Sequence, residues 1–426
     1  MSNLDHQQTA VNSAEQKQNI KEAEKAQTFF DIVYSQFKDH KAAVIGGYII
    51  IFFVLIALLA PMLESITGNE VDRQNVFNRY KPPFSRIIAS QDIKETSIQN
   101  FVRQFPEDAK LIEAELISKG LIQPIRPEDA LYDWVALEKT KALEIAEKIE
   151  SSPKSKELIA IASSFESFHL FGTDELGRDV LMRLVYGTRV SIGVGLLVAL
   201  MSAFIGLIVG SIAGYYGGVI DSLLMRVTDA LLSLPLLPVL VVIAAIDLKK
   251  VLSGLSKTME GLLGTDAGLF TQSILDSIFS GGKESIYKLV FILCLFSWMT
   301  VARLIRGSIL SLREREFILA SKTLGASDLT IIVRHMFPNV IAPLLVSVTL
   351  GVGESILFEA ALSFLGLGVQ PPTPSWGNML FNAQELIYQA PFLAILPGLL
   401  IFLVVVSFNF LGDGLQDAID PKSVRR

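Results

Sequence analysis

The chain has 426 residues, of which 51% are hydrophobic, and its mean hydropathy is +0.47. This composition is too apolar for an ordinary soluble domain and predicts a membrane protein. The net charge of −6 and the pI near 5.4 argue against a nucleic-acid partner. The single cysteine, Cys294, lies in an apolar run and the four histidines are scattered, so we expect neither a disulfide framework nor a metal site.

The first predicted element is a transmembrane helix over residues 42–63, because this apolar run is about as long as a bilayer core is thick. Lys38 and Lys41 lie on its N-terminal side, so residues 1–41 are expected to form a cytoplasmic tail. Since a long polar stretch precedes the first apolar run, no cleavable signal peptide is expected.

Residues 64–187 contain no apolar run long enough to cross a bilayer and are predicted to be extracytoplasmic. Within this segment, residues 97–119, 127–150 and 154–165 have the pattern of amphipathic helices and are separated by glycine and proline. We therefore predict a mainly helical domain, called the insertion here, at about residues 86–167.

Residues 188–411 are predicted to form a core with five further transmembrane helices. The second span, residues 190–216, carries Gly206, Gly210 and Gly214 at four-residue intervals. Small residues at this spacing share one helix face and let another helix approach closely. We favour packing within the chain over a dimer seam at this face.

The third predicted span contains Pro235 and Pro238, which we expect to interrupt it. Because proline removes a backbone donor, such a helix leaves carbonyl groups that need a neighbour or a water-filled cavity. Both prolines are therefore candidates for the lining of a translocation path. A second extracytoplasmic insertion is predicted over residues 247–288 and is expected to form one external surface with the first. The fourth span covers residues 289–304.

Residues 303–339, called the basic loop here, cannot lie in lipid because they carry six basic side chains, which are Arg303, Arg306, Arg313, Arg315, Lys322 and Arg334. Their charge favours the cytoplasmic side of the membrane. The pattern predicts helix, turn and helix, with Gly325 as the turn residue that adopts positive φ. Ser327 or Asp328 is expected to cap the second helix, and Pro338 is expected to end it.

The fifth span, residues 340–364, carries two carboxylates at membrane depth, where a charge is costly unless it is neutralised, paired or wetted. We expect Glu354 to face the translocation path or a partner subunit, and Glu359 to lie near the external rim. A sixth span over residues 391–411 precedes a tail, residues 412–426, that ends with Lys422, Arg425 and Arg426. Six spans with both termini in the cytoplasm follow.

Short motifs occur around these spans. Residues 78–83 read NRYKPP, and residues 362–377 read LSFLGLGVQPPTPSWG, which predicts an external turn. Residues 172–179 read GTDELGRD and are called the outer motif here; its selected positions are Gly172, Thr173, Asp174, Gly177, Arg178 and Asp179. Its acidic side chains can offset nearby arginines at the membrane rim. We favour this structural role over contact with a substrate.

These motifs, in this order, resemble the permease subunits of bacterial ATP-binding cassette importers, in the dipeptide and oligopeptide branch. In that family the equivalents of residues 78–83 and 169–179 are separated by only a few residues, whereas residues 84–168 intervene here. The basic loop resembles the family's cytoplasmic EAA loop, with the usual glutamate replaced by Leu319.

The resemblance implies an all-α polytopic protein of the bacterial inner membrane, with the six transmembrane helices of the type I importer permease fold. It implies a permease subunit that translocates oligopeptides or dipeptides. The implied partners are a homologous second permease, two ATP-binding subunits that use ATP and Mg, and an extracytoplasmic peptide-binding protein. Residues 305–338 are expected to form the loop that couples to an ATP-binding subunit, through Arg313, Leu319, Ala320, Ser321, Gly325, Ser327, Asp328 and Pro338.

The chain is not expected to be an enzyme or to bind a cofactor itself. It lacks the Gly-x-x-x-x-Gly-Lys-Ser/Thr pattern, and the nearest candidate, Gly281-Gly282-Lys283, lacks the first glycine. Two alternatives stay open. The importer could carry nickel chelates, opines or antimicrobial peptides, or the chain could be a proton-coupled secondary transporter that uses Glu354 and Glu359 as a relay.

Overall fold

The computed structural model describes most of the chain. The described residues are 35–67, 69, 71, 72, 74, 78–88, 91–124, 130–136, 144, 145, 148, 149, 166–246, 250, 254, 258, 284–381 and 383–419. Their helices and strands, numbered in chain order, are α1 (Lys41–Thr67), β1 (Ser85–Ile88), α2 (Gln91–Gln104), α3 (Pro106–Ser118), α4 (Ala130–Ala136), β2 (Glu166–His169), α5 (Val180–Tyr216), α6 (Gly218–Leu232), α7 (Leu236–Ala245), α8 (Glu284–Arg313), α9 (Glu316–Thr323), α10 (Asp328–Phe364), α11 (Trp376–Phe381), α12 (Ala383–Leu386) and α13 (Phe392–Ile419).

Five of the described helices, α1, α5, α8, α10 and α13, are long and apolar enough to cross a membrane. Helices α6 and α7 are each too short to cross a membrane and pass the same test only together, and the chain bends by 85° between them. When the bent pair is counted as one span, the total is six. The predicted all-α polytopic fold is confirmed.

Helix α5 packs against α1, α8 and α10 and so lies inside the bundle. Its glycines Gly206, Gly210 and Gly214 face α8. A Cβ atom at Gly206 would lie 2.6 Å from the Cβ of Val301, and one at Gly210 would lie 2.5 Å from the carbonyl oxygen of Ala302. Both distances are shorter than van der Waals contact, so only glycine permits this approach. The predicted packing of this face within the chain is confirmed.

Helix α13 continues to Ile419, past residue 411, where the sequence predicts the end of the sixth span. The polar residues beyond 411 remain helical because two glycines among them are packing positions. A Cβ atom at Gly412 would lie 2.6 Å from the side chain of Leu350 in α10, and one at Gly414 would collide with the side chain of Ala43 in α1. Residues 412–419 therefore belong to the bundle.

The insertion has a hydrophobic core of its own. Side chains from α2, α3 and α4 are at most 2% exposed and pack together; they include Ile98, Phe101, Ile112, Leu116 and Trp134. A cluster of this kind allows these three helices to stabilise one another without the membrane bundle. The third predicted helix of the insertion, residues 154–165, lies outside the described residues.

An antiparallel strand pair closes the base of the insertion. Strand β1 pairs with β2, with Ser85 opposite His169 and Ile88 opposite Glu166. Beyond the strands, the backbone N–H of Phe84 donates to the carbonyl oxygen of the residue after β2, at 3.1 Å. The chain therefore enters and leaves the insertion at neighbouring points.

Most of the second predicted insertion, residues 247–288, lies outside the described residues. Its last positions belong to α8, which begins at Glu284. One contact joins this region to the turn that follows α10, because the backbone N–H of Gln370 donates to the hydroxyl of Ser285 at 3.2 Å. The single external surface formed by both insertions stays a prediction.

Candidate functional site

The basic loop contains a short helix, α9, and a tight turn between two long helices. Gly325 has a φ angle of +81°, so α9 ends in the left-handed conformation that glycine adopts at low cost. Ser327 begins the next helix, because its hydroxyl oxygen accepts the backbone N–H of Thr330. These two local features follow the predicted pattern of helix, turn and helix.

Pro338 does not end a helix, and this prediction is corrected. Helix α10 runs on through a π-helical turn at Ile331–Met336. A proline inside a helix lacks its N–H and clashes with the carbonyl group four residues earlier. The wider turn directly before Pro338 accommodates this clash, and Asn339 Nδ2 donates to the carbonyl oxygen of His335 at 2.7 Å. The basic loop therefore continues without a break into the fifth span.

One part of the basic loop is packed into the bundle. Ile318 of α9 is buried, and Ile331 and Met336 of α10 are fully buried. They form one apolar cluster with Tyr215 of α5 and Ile309 of α8. The loop is thus fixed to three long helices by buried side chains.

Another part of the loop exposes large apolar side chains. Leu324 is 88% exposed and Leu329 is 72% exposed; Phe317, Leu319 and Val333 are also exposed. Ala320 is exposed too, and a Cβ atom at Gly325 would meet nothing within 4 Å. Exposed apolar side chains grouped on a loop are typical of a protein interaction surface.

Two arginines of the basic loop pair with acidic residues of α6. Arg303 Nη2 lies 2.5 Å from Asp229 Oδ1. Arg306 makes a bidentate pair with Asp221, in which one of the two bonds is 2.6 Å long. A bidentate pair fixes both distance and orientation. The half of the bent span that lies nearest the basic loop is therefore tied to α8.

Two selected loop residues, Arg313 and Asp328, both bond to Tyr215 near the end of α5. The sequence analysis did not select Tyr215. A tyrosine at the end of an apolar span is common at membrane interfaces, so its type and position alone gave no signal of this contact.

The predicted path residues lie at the surface of this chain. Pro235 is the residue before α7 and lies at the break between α6 and α7. Pro238 lies in the first turn of α7, where a backbone N–H has no partner inside the helix, so the prediction that it interrupts the span is wrong. Both prolines and Glu354 are exposed, and their contact with a translocation path stays a prediction.

Glu359 is fully buried within the chain, and its predicted position near the external rim stays a prediction. Its carboxylate accepts the hydroxyl groups of Ser363, at 2.8 Å, and of Ser191, at 3.0 Å. The Ser191 hydroxyl in turn accepts the backbone N–H of Trp376 at 3.1 Å. Glu359 therefore joins α10, α5 and the start of α11, and these contacts explain how its polar group is accommodated inside the bundle.

The outer motif is a buried network of charges at the start of α5. Asp174 Oδ2 accepts Arg178 Nε at 2.7 Å and lies 3.3 Å from Arg183 Nε. Asp179 caps α5, because its Oδ1 accepts the backbone N–H of Met182 at 2.7 Å. All four charged side chains are almost fully buried. This geometry favours the structural role over direct contact with a substrate.

Residues 78–83 and the outer motif are direct neighbours, although the insertion separates them in sequence. The backbone N–H of Thr173 donates to the carbonyl oxygen of Lys81 at 3.1 Å, and the Lys81 N–H donates to Thr173 Oγ1 at 2.9 Å. Gly172 has a φ angle of +76°, and a Cβ atom there would collide with the Lys81 carbonyl group. The two motifs thus form one structural unit.

Comparison with known proteins gives two family matches. Residues 206–425 match the family described as binding-protein-dependent transport system inner membrane component, and residues 28–83 match the N-terminal TM domain of oligopeptide transport permease C. Similar curated proteins include the glutathione transport system permease protein GsiD of Escherichia coli O157:H7 and that of Shigella sonnei (strain Ss046). Each is 40% identical over 254 residues, which cover 60% of this chain and 72% of the relative.

Proposed function

Because this chain belongs to the family of binding-protein-dependent transport system inner membrane components, we propose that it moves oligopeptides or dipeptides, delivered by an extracytoplasmic binding protein, across a bacterial inner membrane. As a permease of the ATP-binding cassette importers, it is a multi-pass, non-enzymatic subunit that works with ATP-hydrolysing partners. The peptide cargo is supported by the match to the oligopeptide permease domain and by the relatives whose name includes glutathione transport.

The observation that carries the proposal is the two-part surface of the basic loop. Ile318 and Ile331 anchor the loop in the bundle, while Leu324 and Leu329 are largely exposed. An anchored loop with an exposed apolar surface is suited to receive a force from a partner and to pass it to the bundle. The proposed partner at this surface is an ATP-binding subunit.

In the proposed mechanism, ATP draws two ATP-binding subunits together, and their closure displaces the basic loop. The loop moves α8 and α10, because it lies directly between them in the chain. The spans then tilt so that a cavity opens outward and receives peptide from the binding protein. Hydrolysis returns the bundle to its first state, as alternating access requires. ATP and Mg are thus used by the partners.

The proposed assembly contains this chain, a homologous second permease, two ATP-binding subunits and the binding protein. We place both termini in the cytoplasm. Lys38, before α1, and Lys41, its first residue, favour that side. His40 Nε2, next to the start of α1, lies 3.6 Å from Asp417 Oδ2, near the end of α13. The chain therefore enters and leaves the bundle at the same end, which supports a common side for the two termini.

A proton-coupled carrier is not favoured. Membership of this family assigns the energy source to separate ATP-hydrolysing subunits. In addition, the Glu359 carboxylate is enclosed by hydrogen bonds to Ser191 and Ser363 that join two helices. A structural role accounts for this group without proton transfer. Nickel chelates, opines and antimicrobial peptides are not favoured as cargo over peptides, given the names of the matched family and relatives.

The test is the retention of an ATP-hydrolysing partner by the tagged chain, purified from the membranes of its own host. Leu324→Asp is expected to reduce the partner recovered at least tenfold, because it places a charge in the centre of an apolar contact. Tyr388→Asp is the matched control, since Tyr388 is 97% exposed and follows α12, away from the basic loop. Retention by Leu324→Asp equal to that of Tyr388→Asp would refute the docking surface.

A further inference from the structure

Tyr215 forms hydrogen bonds to residues of the basic loop on both sides of α9. Its hydroxyl donates to Asp328 Oδ1 at 2.6 Å, and Asp328 is the first residue of α10. Its carbonyl oxygen accepts Arg313 Nη1 at 3.3 Å, and Arg313 is the last residue of α8. One residue of α5 therefore binds both the helix that enters the loop and the helix that leaves it.

The surroundings of Tyr215 restrict its motion. The residue is 8% exposed and belongs to the apolar cluster that contains Ile309, Ile318 and Ile331. Its ring contacts the ring of Tyr216 edge-on, with the ring centres 5.2 Å apart. A buried ring with a single satisfied hydroxyl keeps its hydrogen bond in one direction. The bond to Asp328, which is itself exposed, therefore links a restrained side chain of α5 to the start of α10.

The position of Arg313 depends on the turn that ends α5. Gly217 has a φ angle of +66°, and a Cβ atom there would lie 2.9 Å from Arg313 Nη1. The guanidinium group thus lies over the glycine and reaches the carbonyl group of Tyr215. Side-chain bulk at residue 217 would displace it. Tyr215 and Gly217 thus together position the guanidinium group of Arg313.

Helix α5 connects Tyr215 to the outer motif. It has 37 residues, which corresponds to a length of about 55 Å. At its other end Asp179 is its cap, and the carbonyl oxygen of Leu184 accepts the indole N–H of Trp376 at 3.1 Å. A displacement of the basic loop that is passed to Tyr215 therefore reaches the opposite end of the bundle through one continuous helix.

From these contacts we infer that Tyr215 is a positioning residue that passes movement of the basic loop to α5, and that its hydroxyl couples ATP hydrolysis to transport. The inference rests on the proposed function, since it concerns the same loop. It adds a specific route, through Tyr215 and α5, to the direct chain connection through α8 and α10. Loss of a hydrogen bond to a charged group is expected to change the equilibrium between the bonded and separated states of Tyr215 and Asp328 by about tenfold or more.

The experiment uses the complete assembly reconstituted in liposomes, with ATP hydrolysis and peptide uptake measured in the same sample. Tyr215→Phe removes the hydroxyl and keeps the ring in the apolar cluster. We expect it to retain the ATP-hydrolysing subunits and to raise the ATP consumed per peptide transported at least threefold. Tyr216→Phe is the matched control, because Tyr216 is 50% exposed and adjacent. It is expected to keep the wild-type ratio.

A double-mutant cycle distinguishes the effect of the Tyr215–Asp328 hydrogen bond from a general structural effect. Asp328→Ala removes the acceptor of the same bond, so Tyr215→Phe combined with Asp328→Ala should raise the ratio no further than either change alone. An unchanged ratio in Tyr215→Phe, additive effects of the two changes, or loss of the ATP-hydrolysing subunits would each overturn the inference. A wild-type assembly without ATP-dependent uptake would instead overturn the proposed function.

Discussion

The close approach of α5 and α8 can be tested with one added methyl group. Gly210→Ala would place a Cβ atom 2.5 Å from the carbonyl oxygen of Ala302 and 2.9 Å from the Cβ of Ile305. To restore ordinary contact, the two helices must separate by roughly 1 Å, and overpacking of this kind costs about 1–3 kcal/mol. Alanine has a higher helix propensity than glycine, which returns up to about 1 kcal/mol. With the full gain subtracted, we expect a net loss of up to about 2 kcal/mol.

The same helix supplies the control. A Cβ atom at Gly193 would meet nothing within 4 Å, so Gly193→Ala keeps the gain in helix propensity without the clash. The two variants change the same atoms and should shift the thermal unfolding midpoint of the purified protein in opposite directions. If Gly210→Ala were as stable as Gly193→Ala, the close packing of α5 on α8 would be refuted.

Two other predictions concern the loop and the insertion. Gly325→Val should abolish uptake with normal membrane insertion, because a β-branched residue at a φ of +81° strains the turn after α9. Gly307→Val is the control and should retain uptake, because a Cβ atom there meets nothing within 4 Å. Uptake by Gly325→Val would contradict the assignment of the basic loop as the coupling loop. Trp134→Ala should destabilise the insertion by about 3–5 kcal/mol because it empties the centre of its core. Limited proteolysis should then cleave within residues 91–136 first; equal resistance to wild type would show that this core is not a unit.

The insertion separates residues 78–83 from the outer motif in the sequence but not in the structure. Residues 78–83 and the outer motif form backbone hydrogen bonds with each other because β1 and β2 bring the ends of the insertion together. Replacement of the insertion by a tight turn that connects Ser85 to His169 would therefore preserve the hydrogen bonds between the two motifs. The two motifs thus contact each other although residues 84–168 separate them in the sequence.

Much of the basic loop could be predicted, because its features are local. The turn at Gly325 and the cap at Ser327 depend on backbone stereochemistry within a few residues. The prediction for Pro338 was wrong for the opposite reason. A proline usually ends a helix when only its neighbours are considered, but the π-helical turn before it accommodates the ring, and the following residues are held by packing in the bundle.

The sequence by itself determined that the chain crosses a membrane and where most of its spans lie, and it predicts that the basic loop lies in water. Those properties depend on the transfer of side chains between water and lipid, which each stretch of sequence expresses alone. Only the tertiary structure decided which residues meet: Tyr215 with the basic loop on both sides of α9, Glu359 with Ser191, and Gly414 with Ala43. Such contacts join residues far apart in the chain, and their identity follows from how whole helices pack.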